Sequence, residues 1–167
     1  MARGYLLVND DYKASVPMGE LYMAGNDVPT VFTDTGVFAK ILGTTILSTG
    51  LLFTSPVSNQ LMYSECKCAT QHLHCGATIS FSLTGRGGAI VEFRAVKNGN
   101  IHILPSIAVN KTGAGNDIRC VSSHFMVQLS VGDYIEMWVA NNTNGSPVTV
   151  LNMSMFAYGL PFQGGVH

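Results

Sequence analysis

The densest run of reactive side chains is Cys66-Lys67-Cys68-Ala69-Thr70-Gln71-His72-Leu73-His74-Cys75. Thiolate and imidazole are the ligands zinc prefers. The spacing is poorer than the composition. Zinc motifs usually leave two residues between paired cysteines, whereas Cys66 and Cys68 have only Lys67 between them. On a strand two such thiols share a face at roughly 7 Å, a poor grip for one ion. His72 and His74 have the parity of Thr78 and Ser80 and face away from the core. Cys75 has the parity of Ile79 and points inward. The pattern predicts a buried Cys75 beside two surface histidines, with no metal site and no cofactor. Any metal would have to use His72, His74, Cys66 and Cys68.

Other chemistry finds less support. No serine stands in the Gly-x-Ser-x-Gly of a hydrolase elbow, and no Gly-rich loop ends in Lys-Ser/Thr. Gly85-Arg86-Gly87-Gly88 is a turn without the helix that would cradle a phosphate. Asp117, Asp133, Glu92 and Glu136 are read as isolated acids in turns or on strand surfaces. Asn116, Asp117 and Asp27 lack calcium-loop spacing. No enzymatic activity is expected. Only 11% of the residues are Asp, Glu, Lys or Arg and the net charge is −1, against about 25% charged in an average domain. The scattered cations rule against a nucleic-acid partner, which needs clustered Lys and Arg. So little charge means that neutral polar groups solvate the surface or that partners cover it.

The elements that hold these residues read as strands. In Ala77–Thr84, Ile79, Phe81 and Leu83 alternate with polar residues, and in Ile90–Val96, Val91, Phe93 and Ala95 do the same. Asn98-Gly99 between alternating segments is a strong hairpin signal, because both central residues of a type I′ turn need positive φ. Val121, Phe125, Val127 and Leu129 continue the pattern, as do Ile135, Met137 and Val139. Pro147–Tyr158 is the last strand. No stretch carries a capped 3.6-residue stripe, so almost no helix is expected. Short strands between Gly/Asn/Pro turns indicate a β-sandwich or barrel. With 167 residues the chain fits one domain and an arm. Residues 1–45 are read as an N-terminal arm with short extended segments, and 46–167 as the domain. No run of about 20 apolar residues is present for a membrane span, and the N-terminal apolar segment is short for a signal peptide. The expectation is therefore thiols rather than disulfides. Sequons such as those at Asn110, Asn141 and Asn152 are read as by-products of polar loops.

Three segments carry a resemblance: Val96-Lys97-Asn98-Gly99, Val127–Asn141 with Leu129-Ser130-Val131-Gly132-Asp133-Tyr134-Ile135-Glu136-Met137-Trp138, and Val148–Met155. Their order resembles the tumour-necrosis-factor/complement-like jelly roll, in which a Leu-x-x-Gly-Asp-Tyr turn precedes a strand and the domain packs as a trimer. More narrowly it is similar to small jelly-roll structural proteins of tailed bacteriophages. Met18-Gly19-Glu20-Leu21-Tyr22 and Lys40–Thr45 resemble phage head-decoration and fibre proteins.

The resemblance implies an all-β, homotrimeric jelly-roll sandwich with an N-terminal arm. It implies a virion structural protein, a capsid decoration (cement) protein on the phage head, made in the host cytoplasm. Its partners would be itself and the major capsid protein, with no nucleic acid and no membrane. The alternative is a receptor- or glycan-binding knob of a head or tail fibre. A secreted signalling ligand conflicts with the lack of a signal segment. Tyr5, Leu6, Leu7, Val8 and Tyr12 of the arm are the capsid-binding candidates. His72, His74, His124, Met126, Gln128, Tyr134 and Trp138 are the trimer-interface candidates. In such trimers one sheet faces the threefold axis, so a histidine repeated three times there would make the trimer pH-sensitive. Tyr134 and Trp138 face away from Ile135, Met137 and Val139, either under a neighbouring loop or in an interface.

Overall fold

The computed structural model describes residues 16–64, 70–83, 88–113 and 117–159. In chain order the strands are β1 (Met18–Met23), β2 (Pro29–Thr30), β3 (Ala39–Lys40), β4 (Ile46–Leu51), β5 (Phe53–Thr54), β6 (Leu61–Tyr63) and β7 (Thr70–Leu83). They continue with β8 (Ile90–Lys97), β9 (Ile101–His102), β10 (Ala108–Lys111), β11 (Arg119–Ser130), β12 (Tyr134–Asn141) and β13 (Val148–Gly159). Among the described residues the only helical element is a 3-10 turn, Leu104–Ser106. None is a helix long and apolar enough to cross a membrane.

The strands form two antiparallel sheets. Sheet one runs β11-β7-β13-β1-β4, with β2 on the edge of β13. Sheet two runs β10-β8-β12-β6-β5, with β3 beside β12 and β9 beside β8. The alternation in the sequence decides which side of each strand is apolar. Leu73, Cys75, Ile79, Phe81 and Leu83 of β7 point inward, as do Val91 and Phe93 of β8 and Ile135, Met137 and Val139 of β12. Phe81 and Phe93 meet across the sandwich with ring centroids 4.8 Å apart. Burying an aromatic side chain contributes on the order of 2–3 kcal/mol, so this pair is a main tie between the sheets.

The Asn98-Gly99 hairpin forms as anticipated. Asn98 has φ +53° and Gly99 φ +72°, and the Asn100 N–H donates to the Lys97 carbonyl at 3.3 Å.

The domain boundary differs from the sequence reading. Residues 18–45 are part of the sandwich, not of an arm. β1 lies between β13 and β4, with Leu21 opposite Met155 and Leu47, and β3 pairs with β12. Gly19 hid the pattern. It occupies an inward position where an apolar side chain is expected, because the Phe53 ring lies against it. A Cβ there would stand 2.6 Å from Phe53 Cγ, so only glycine lets Phe53 seat. A lone glycine in a short segment reads from sequence as a broken strand.

Candidate functional site

The outer face of sheet one gathers the histidines. In the β11–β7 register His124 lies opposite Gly76, Met126 opposite His74 and Gln128 opposite His72. On the other side of β7, Phe156 lies opposite Gly76 and Tyr158 opposite His74. Directly opposed residues share a face, so all of these side chains point outward together. Gly76 makes the arrangement fit. A Cβ at this position would meet Phe156 Cζ at 2.7 Å, so the Phe156 ring crosses the glycine and reaches both imidazoles.

Four rings form one continuous patch. His74 and His124 have centroids 5.4 Å apart, with Nδ1 of His124 and Nε2 of His74 at 3.4 Å. Phe156 lies 5.7 Å from His74 and 5.6 Å from His124, and Tyr158 lies 5.1 Å from Phe156. Met126 is 48% exposed and Tyr158 36%. Outward Thr78, Ser80, Ser122, Asn152 and Ser154 extend the face with neutral polar groups. On the strands of sheet one the only Asp, Glu, Lys or Arg residues are Glu20 and Arg119. Arg119 pairs with Asp117 at 3.0 Å. Glu20 accepts from the Ser154 hydroxyl at 3.2 Å.

Tyr134 and Trp138 stand on the opposite side of the molecule, on the outer face of sheet two. The interface candidates chosen from sequence therefore divide between two faces. Trp138 is half-buried beneath local neighbours. Its indole N–H donates to Glu136 at 2.9 Å, and its ring meets His102 edge-on at 6.0 Å. Phe38 packs on His102 at 5.4 Å and carries the Arg94 guanidinium 3.9 Å above its ring centre. Arg94 pairs with Glu92.

Glu136 corrects a second expectation. It is not a surface acid but 2% exposed. It pairs with Lys40 at 2.8 Å and accepts from Gln60 Nε2 at 3.3 Å. Parity placed it outward correctly, and β3, which pairs with β12, brings Lys40 against it.

The Gly-Asp-Tyr turn is a joint. Partial burial pushes the Asp133 carboxyl up, and this is outweighed by hydrogen bonds from Asn98 and Lys97 and from the Ser130 N–H, leaving it below the usual carboxylate range. Asn98 Nδ2 donates at 2.7 Å, Lys97 Nζ stands at 2.6 Å and the Ser130 N–H at 2.8 Å. Asp133 thus fastens the β11–β12 turn to the Asn98-Gly99 hairpin. Gly132, at φ +90°, makes the turn.

Cys75 is fully buried, and burial pushes its thiol up to about 12, which makes it a poor nucleophile and ligand. Cys120 is a free, exposed thiol. Cys66, Cys68, Tyr5, Leu6, Leu7, Val8 and Tyr12 lie outside the described residues. Among the described residues no three His, Cys, Asp or Glu side chains come together around one point. The histidine that meets His74 is His124, not His72. Phe156 and Tyr158 were missed as site residues. The available signal was the parity of Ser154, Phe156 and Tyr158 against Met153, Met155 and Ala157.

No family model matches the chain, and no curated protein sequence does. Solved structures do match. Murine APRIL at pH 8.5 superposes with a TM-score of 0.54 at 10% identity, covering 84% of this chain and 98% of that one. Eiger TNF from S. frugiperda gives 0.54 at 12% identity, covering 86% and 93%. The fold is the tumour-necrosis-factor-like jelly roll. At such identities the likeness concerns architecture alone.

Proposed function

We propose that the protein is a non-catalytic assembly module that associates as a homotrimer through the outer face of sheet one. One observation carries this reading. An exposed sheet face holds a patch of Phe156, Tyr158, His74, His124 and Met126, and its strands bear almost no charge. Faces of this kind are covered in working proteins, because exposed contiguous aromatic surface favours association. The edge strand β11 borders the patch, and association also shields such an edge. Sedimentation equilibrium at micromolar concentration tests it. A species three times the 17.8 kDa chain is expected, and a monomer overturns the reading.

Within that reading, the trimer is a virion structural protein that decorates and stabilises a phage head. Support comes from the similarity of the Gly132–Trp138 turn and strand, and of Met18–Tyr22, to small phage jelly-roll proteins. The segment before β1 would then reach the major capsid protein, by backbone pairing and apolar insertion. Stoichiometric binding to intact heads, lost on removal of residues 1–17, is the expected result. Binding of the isolated trimer to cells or glycans, independent of those residues, would instead make it a fibre knob.

A further inference from the structure

We propose that His74 and His124 form a site for one divalent transition-metal ion of the zinc class, with both ligands supplied by a single chain. Nε2 of His74 and Nδ1 of His124 face each other across 3.4 Å. A zinc–imidazole bond is about 2.0–2.1 Å, and two such bonds at a tetrahedral angle span roughly 3.3–3.4 Å. The strands already hold the two nitrogens at the chord that such an ion requires.

The surroundings explain why the separation is kept. His124 stands opposite Gly76, so no side chain intervenes between it and His74. Phe156 touches both imidazoles from the β13 side. The Phe156 ring thus packs against both imidazoles at once and limits their rotation. His72 lies opposite Gln128, four register positions from His124, and is not a ligand. Glu20, the carboxylate of this face, is engaged by Ser154. The remaining coordination positions fall to water in the single chain and to water or groups of the neighbouring copies in the proposed trimer.

The ion takes the place of the hydrogen bond between the two rings. The proton in that bond moves through solvent to the other nitrogen of its own ring, which frees both facing lone pairs. No electron transfer is involved. Protons compete for the same lone pairs, so binding weakens on acidification.

Calorimetric titration of metal-free protein with Zn²⁺ near neutral pH tests the site. The chain carries Cys66→Ser, Cys68→Ser and Cys120→Ser, so that thiolates do not contribute. One ion per chain at micromolar affinity is expected. His74→Ala and His124→Ala should each weaken binding by roughly tenfold or more, and His72→Ala should leave it unchanged. Should an alanine variant fail to fold, nitrogen NMR of the imidazoles in the parent chain decides the matter. Zn²⁺ should shift His74 Nε2 and His124 Nδ1 and leave the His72 and His102 rings unmoved. Absence of saturable binding, or binding that survives both histidine variants, overturns the proposal.

Discussion

The two outer faces of the sandwich solve the exposure of a strand in opposite ways. Sheet two covers itself. Its central strands carry Glu92, Arg94, Lys97 and Glu136, and β3 adds Lys40. These charges are paired with one another or with Asp133, and Phe38, His102 and Trp138 fill the spaces between them. Among the described residues, no segment covers the outer face of sheet one. It has one carboxylate, four contiguous rings and neutral polar groups. Both contain aromatic and histidine residues on outward positions, so residue type does not separate them. What separates them is whether the described residues supply a cover. Among the described residues, the scarcity of charge is greatest on the outer face of sheet one.

The largest expected effect tests whether the cover of sheet two is structural. Lys40→Met leaves the Glu136 carboxylate buried without its cation and should destabilise the fold by roughly 3 kcal/mol in denaturant titration, since removing one partner of a buried pair strands the other charge. The same kind of change on sheet one, Glu20→Gln, should cost less than about 0.5 kcal/mol. Equal costs would erase the distinction between the faces.

The next tests whether sheet one is covered by other copies. Phe156→Glu places a charge in the middle of the patch. Folding should persist, because the ring points outward, but association should weaken by at least about 2 kcal/mol, the loss expected of a central aromatic contact. Ile90→Glu, at an exposed position on sheet two, should leave the sedimentation profile unchanged.

Much of this contrast was legible in the chain. Period-two parity alone placed His72, His74 and His124 outward and Cys75 inward, and assigned the strands that hold them. It could not say which strands are neighbours, because pairing partners are set by non-local topology. His74 therefore had no visible reason to meet His124 and Phe156. Parity also turned Trp138 and Glu136 outward, yet Lys40, about a hundred residues earlier, pairs with Glu136, and Phe38 packs on the His102 ring that meets Trp138. β1 was missed because Gly19 replaces the apolar residue that its pattern needs, and the reason, the Phe53 ring, belongs to the other sheet.

A third test concerns the seam where the β11–β12 turn meets the β8–β9 hairpin. Asp133→Asn removes an acceptor of three donors and should cost about 1–2 kcal/mol. The pH dependence has a definite sign. The folded carboxyl lies below its ordinary 3.8, so its contribution is fully present above that value and is lost as pH falls through the folded one. The parent chain should lose stability below about pH 4 more steeply than the Asn variant. Parallel curves would show that the joint does not depend on charge. Either result leaves the contrast between the faces intact, since the seam belongs to both sheets.

The smallest expected effect is the loss of the two imidazoles from the patch. His74 and His124 stack at 5.4 Å beside Phe156, and His124 stands on the edge strand β11. Contacts that surround a central aromatic anchor mainly exclude water and cost less than about 1 kcal/mol when changed. His74→Gln with His124→Gln should therefore weaken the trimer by no more than about that amount, measured by sedimentation. His102→Gln should leave association unchanged, because His102 lies on sheet two between Phe38 and Trp138. A loss of association that follows His102 instead would move the contact to the covered face and reverse the roles assigned to the two sheets.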